Sequence, residues 1–132
     1  MNPSTALVQQ IWYAWSTLDP RNVELYYAAD APFPFYDVAP LKFDSWAAFE
    51  KGAVDLFSGF SAMKATVNDA VVRSIGSGAL GTAVVHLDMV KRDGTPVSMD
   101  VRWTGVWERK GGRWLIVHEH VSVPMTAPKA KS

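Results

Sequence analysis

The stretch that decides the fold is Arg102-Trp-Thr-Gly-Val-Trp-Glu-Arg-Lys-Gly-Gly-Arg-Trp-Leu-Ile-Val-His-Glu-His-Val-Ser-Val-Pro124. Apolar and polar residues alternate on both sides of Gly111-Gly112, the pattern of two antiparallel strands joined by a turn. Register then settles which side chains share a face, because a slip of one residue turns a strand over. A two-residue turn pairs Trp107 with Ile116 and Trp103 with His120, whereas a three- or five-residue loop pairs Trp107 with Leu115 and Trp103 with Glu119. The second separates polar from apolar better, so it is the register expected. It gathers Trp103, Gly105, Trp107, Leu115, Val117 and Val121 on one face, with Glu119 the lone acid among them. Arg102, Thr104, Glu108, His118, His120 and Ser122 take the other.

Upstream of this hairpin the same period of two predicts strands at 62–67, 71–75, 79–90 and 97–108, with a turn at Arg92-Asp-Gly-Thr95. Before residue 59 the period changes. Leu7, Val8, Ile11, Trp12, Trp15 and Leu18 recur at steps of three and four behind Ser4 and Thr5, which predicts a capped helix. Asp19-Pro20 reads as the cap and first turn of a second helix through Val23, Leu25, Tyr26 and Tyr27. Asp44-Ser45 caps a third, Trp46 to about Ser58, ended by Gly59. Between them Pro32, Pro34 and Pro40 fence in Phe33, Phe35, Tyr36, Asp37 and Val38, which predicts a short, buried extended segment. Helices first and a meander second make an α+β fold. The expected architecture is a cone-shaped α+β barrel, three N-terminal helices on a strongly curved mixed or antiparallel sheet with an internal pocket.

Composition sets the outer limits. A chain of 132 residues that is 48% hydrophobic has material for one core and is no disordered segment. One domain is expected over 1–126, with 127–132 a flexible polar tail. Thirteen bases balance thirteen acids, which gives no overall field for a polyanion, so nucleic acid is not an expected partner. The chain has no cysteine, which excludes disulfides, thiolate metal sites and thiol nucleophiles. No run approaches a membrane span and no leader pattern opens the chain, so a cytoplasmic protein without membrane attachment is expected.

The hairpin run resembles the SnoaL-like branch of the nuclear transport factor 2-like (ketosteroid isomerase-like) superfamily, through Arg102-x-Thr-x-Val106 and Gly112-x-Trp-x-x-x-His-x-His-x-Ser122. It is also similar to the association domain of calcium/calmodulin-dependent kinase II, whose pocket arginines align with His86, Gly105 and Val121. The resemblance implies a cone with an internal pocket, and a superfamily that hosts cyclases, dehydratases, epoxide hydrolases and plain binding domains. In ketosteroid isomerases the general-base Asp aligns near Asp37, while the oxyanion-binding Tyr and Asp align with Ile11 and Trp103. The resemblance therefore implies a retained base without the steroid-isomerising oxyanion hole.

Three residues are candidates for catalysis. Asp37 lies in an apolar, proline-fenced segment where lost hydration raises a carboxyl pKa toward that of a usable base; its other role is a turn or cap acceptor. His86 alternates with Val84 and Asp88 and is expected to meet Asp37 in the hollow, where a neutral imidazole could shuttle a proton. Glu119 can pair with His86 or act as a general acid. Trp12, Trp15, Tyr36, Trp46, Trp103, Trp107 and Val121 are candidates to line a site for a small apolar or aromatic ligand. His118 and His120 point to one face but lack a third ligand, so no metal and no cofactor are expected. Trp114, Ile116, Val106, His118 and His120 are expected on the convex sheet face, which three helices on the opposite face leave bare. A homodimer through that face follows.

Overall fold

The computed structural model describes residues 2–125, so the tail expected over 127–132 lies outside the described residues. Helix α1 (Thr5–Ser16) buries Val8, Ile11, Trp12, Ala14 and Trp15, the stripe that the three- and four-residue spacing selects. Helix α2 (Trp46–Phe57) is capped by Ser45, whose Oγ accepts from Ala48 N at 3.1 Å, and buries Trp46, Phe49 and Ala53.

The second expected helix is replaced by two 3₁₀ turns, Pro20–Asn22 and Glu24–Tyr26. A segment this short cannot recover the cost of helix nucleation on its own. Its backbone finds partners elsewhere: Ala28 N donates to Ile116 O at 2.9 Å and Leu25 O accepts from Arg113 Nη2 at 2.7 Å.

Four antiparallel strands form one open sheet in sequence order: β1 (Phe60–Ile75), β2 (Gly78–Lys91), β3 (Pro96–Lys110) and β4 (Arg113–Ser122). The expected strands at 62–67 and 71–75 are one, interrupted between Asn68 and Val71 where Asp69 takes φ 50°. Such a bulge bends a strand and strengthens its twist, which helps the sheet curl around α1 and α2. The outer edge of β4 is covered by the Pro-rich segment: Tyr36 N donates to Glu119 O at 3.0 Å, and Val121 N to Tyr36 O at 2.8 Å.

The β3–β4 register combines the two alternatives. Gly111 and Gly112, at φ 56° and 78°, form the tight turn, so Trp107 faces Ile116 rather than Leu115. A shift between Val106 and Trp107 leaves Val117 without a partner, after which Trp103 faces Val121 and Gly105 faces Glu119. The bulge corrects the expected pairing but restores the parity beyond it. Ile116 and Val117 are both fully buried, and Glu119 and Val121 sit on the same face as Trp103. Trp114 shares the side of Ile116 and packs against the core, so the convex patch loses both residues. His118 is also covered, since its Nδ1 donates to Pro34 O at 2.6 Å and its ring packs against Phe33, Phe35 and Tyr36.

Candidate active site

Between the helices and the inner sheet face lies a cavity of about 250 Å³. Its walls are apolar: Trp12 and Trp15 from α1, Phe49, Ala53, Leu56 and Phe57 from α2, and Met63, Leu87, Met89, Met99, Val101 and Val121 from the strands. Asp37 and Glu119 are the only ionisable side chains among its lining residues. Val38 and Leu56, each about half exposed, mark the mouth.

Glu119 is held by two donors. Tyr27 Oη donates to its Oε1 at 2.5 Å, and Trp103 Nε1 donates to the same oxygen at 2.8 Å. Trp15 Nε1 in turn donates to Tyr27 Oη at 3.0 Å. An indole N–H can only donate, so both ends of this chain have a fixed direction and the Tyr27 hydroxyl must give its own hydrogen to Glu119. With both donors on Oε1, a proton carried by Glu119 belongs on Oε2. Burial pushes the Glu119 pKa up to about 7, the two hydrogen bonds pull against that rise, and the Asp37 charge adds to it. Burial, followed by the Glu119 charge, keeps the Tyr27 hydroxyl well above its ordinary value, so it serves as a donor and not as a base.

The local sequence makes this geometry possible. Gly81 and Gly105 face each other across β2 and β3. A Cβ at Gly105 would lie 2.5 Å from Trp103 Cζ2, and one at Gly81 would lie 2.7 Å from Trp107 Cζ3. The two glycines leave a notch in which the indoles lie against the sheet, and from there Trp103 reaches Glu119.

Asp37 arrives on a loop. Phe35 and Phe43 exchange backbone hydrogen bonds at 2.8 and 3.0 Å, closing residues 36–42 into a loop whose Asp37, Val38 and Ala39 line the cavity. Burial raises the Asp37 pKa above its ordinary value, while the Val38 N–H, 2.7 Å from Oδ1, opposes the rise. The Phe43 ring fits against Gly52 of α2, where a Cβ would come within 2.6 Å of it.

The structure separates the other candidates. His86 lies on the opposite sheet face from Leu87 and Met89, bound through Nδ1 to Asp100 Oδ1 at 2.8 Å and through Nε2 to Asp88 Oδ1 at 3.2 Å. It therefore does not meet Asp37, a correction that follows from the strand's alternation. Trp12, Trp15 and Val121 line the cavity. Trp46 stacks on Tyr27 with ring centroids 4.2 Å apart, Trp103 and Trp107 fill the glycine notch, and Tyr36 packs against His118 and His120. These four support the site from outside it. Tyr27 and the methionines were not among the candidates, although alternation through Leu87 and Val101 puts Met89 and Met99 on the inner face. Among the described residues, no cluster of three or more His, Asp or Glu side chains could hold a metal ion. No helix among them is long and apolar enough to cross a membrane.

With this geometry in hand, comparison with known proteins is decisive on one point: a family model for the SnoaL-like domain matches residues 5–126. The chain belongs to the SnoaL-like domain family. The fold of this SnoaL-like domain is similar to that of a nuclear transport factor 2-like superfamily protein from Salmonella enterica, with TM-score 0.82, 18% identity, and coverage of 95% of this chain and 91% of the other. A candidate dehydratase of the same superfamily from Streptomyces avermitilis matches with TM-score 0.78 and 15% identity over 92% and 94% of the two chains. The association domain of Caenorhabditis elegans calcium/calmodulin-dependent kinase II matches with TM-score 0.69 and 20% identity over 90% and 92%. At these identities the SnoaL-like domain shares a fold with them. No curated protein matches it.

Proposed function

We propose that this SnoaL-like domain is a cofactor-independent enzyme that moves protons on a small, largely apolar, oxygenated molecule, within the range of isomerases, cyclases, dehydratases and hydrolases. One observation carries the reading: two carboxyl groups of unlike surroundings face one apolar cavity, Glu119 fully buried and bonded by Tyr27 and Trp103, Asp37 on a loop with one backbone N–H. Carboxyl groups held in unlike surroundings can divide the work of base and acid. Asp37 as carboxylate takes a proton from a carbon beside a carbonyl. Glu119 gives its Oε2 proton to the substrate oxygen, which becomes an enol or departs as water, and Tyr27 and Trp103 stabilise the carboxylate left behind. The proton on Asp37 then returns to carbon or solvent, and Glu119 is reprotonated.

The C–H abstraction with which the isomerase, cyclase and dehydratase chemistries begin supplies the test. Phenylacetone incubated in heavy water should exchange its activated C–H hydrogens faster with the protein than with buffer, as followed by proton NMR. Asp37→Asn should remove the acceleration without unfolding the protein. Equal exchange with wild type and Asp37→Asn would refute the assignment.

A second reading is an association module, supported by the kinase association-domain neighbour and by a convex face carrying Leu80, Val84, Val106 and Leu115 at intermediate exposure. This face would carry a homodimer, with the patch shifted away from Trp114 and Ile116. Sedimentation as a monomer at micromolar concentration would remove it.

A further inference from the structure

The cavity has an electrostatic imbalance that a neutral ligand does not resolve. Two carboxyl groups share it, and none of its lining residues is Lys, Arg or His. The titratable groups facing Glu119 are Asp37 from the loop and Tyr27 from the segment after the 3₁₀ turns, both acids. A charge removed from water needs a partner or a proton. Among the described residues, two donors reach Glu119 Oε1 and one backbone N–H reaches Asp37, and no lining residue carries a positive charge. The walls complete the pattern: Trp12, Trp15, Phe49 and Phe57 are aromatic and Met63, Met89 and Met99 are polarizable, surfaces that attract organic cations.

We propose that the cavity also takes a cationic ligand, an apolar primary amine whose ammonium group sits between the Asp37 and Glu119 carboxyl groups while its hydrocarbon part packs against the aromatic walls. The ammonium offers three donors and a charge, and Glu119 Oε2 and Asp37 Oδ2 can each accept one of its hydrogens. Such a ligand would compete with the oxygenated substrate for the same space. The inference rests on one premise of the proposed function, that this cavity is the ligand site, and is independent of whether proton transfer takes place there.

The two ligand classes differ in how protons are linked to binding. An ammonium ion favours ionised Glu119, so its binding expels the Glu119 proton; a carbonyl or hydroxyl oxygen that accepts from Oε2–H favours the protonated form. With the Glu119 pKa at about 7, its ionised fraction changes from roughly one-tenth at pH 6 to roughly nine-tenths at pH 8.

The experiment is calorimetric titration of the intact protein with phenylethylamine and its neutral counterpart phenylethanol at both pH values, in two buffers of different ionisation enthalpy. The amine, protonated throughout, should bind about tenfold more tightly at pH 8 than at pH 6 and release protons. Phenylethanol should show the opposite linkage, binding more tightly at pH 6 than at pH 8 and taking up protons. Glu119→Gln should abolish the pH step for the amine, and Asp37→Asn should weaken the amine while sparing the alcohol. An amine affinity independent of pH, or an alcohol that binds as tightly as the amine at pH 8, would overturn the inference. If phenylethanol binds and the amine does not, the inference falls and the acid–base reading stands. If the amine binds with its pH step but phenylacetone exchange is absent, the reverse holds; if neither probe binds, both fall with their shared premise.

Discussion

Trp103 Nε1 donates to Glu119 Oε1 at 2.8 Å, linking the centre of β3 to the one fully buried acid among the described residues. The bond favours the charged form of Glu119, so its removal acts in a known direction. Trp103→Phe should raise the Glu119 pKa above about 7 and destabilise the fold by ~1–3 kcal/mol, combining the lost bond with a small void. The destabilisation should be larger at pH 8 than at pH 5, because the carboxylate needs the donor more than the neutral acid does. Carboxyl carbon NMR titration beside denaturant melts at the two pH values checks both parts.

Stability should fall as the solution becomes more alkaline through the weakly acidic range. The folded-state pKa of Glu119 is about 7 against 4.5 when unfolded, so between these values the native state holds the extra proton and the slope of unfolding free energy with pH is negative. The loss is complete above about pH 7 and amounts to about 3 kcal/mol. Glu50, also raised to about 7 by burial and Glu24, titrates in the same window. Glu119→Gln isolates the buried group: the Glu119 share of the slope should disappear while the Glu50 share stays, leaving the variant more stable than wild type at pH 8. Denaturant melts from pH 4 to pH 9 make the comparison.

Gly105→Ala tests the notch under Trp103. A methyl group 2.5 Å from Cζ2 must displace the indole or the strand, at ~1–3 kcal/mol. The displacement should also withdraw the indole N–H, so Glu119 titrates higher than in wild type. A stability loss with no change in Glu119 titration would mean that the notch serves packing alone.

His86→Ala should leave ligand affinity in the cavity within about twofold of wild type, because the imidazole is on the outer sheet face, tied to Asp100 and Asp88. Asp100, more than Asp88, holds its pKa above the ordinary value. The stabilisation from this raised pKa is present below the ordinary histidine value and lost as pH rises through the higher one, and exposure keeps it small. Calorimetry with phenylethanol and a pH series of melts report on the two effects separately.

The sequence made the inner face legible wherever alternation was unbroken. Trp103, Glu119 and Val121 share a face because strand period is two, and the helix stripes came from spacing of three and four. What alternation could not reveal was the bulge at Val117, which lets the tight turn and the expected parity hold together. Sequence misplaces His86 for a related reason: its neighbours Val84 and Asp88 share its outer face, and an apolar residue beside it resembles an inner wall. Tyr27 reads as helical because its short segment mimics a helix period, whereas its backbone is claimed by the edge of β4. Long-range hydrogen bonds of that kind leave no periodic mark.

The pinch between Phe35 and Phe43 gives the cavity mouth a degree of mechanical independence. Backbone bonds below the tip bear the connection to the rest of the molecule, and Val38 and Leu41 project from it about half and almost wholly exposed. On the proposed function, residues 38–41 would be an interchangeable cassette: varying their size and polarity should alter which molecules enter, with Asp37 anchored at the near end and the four-stranded framework left untouched.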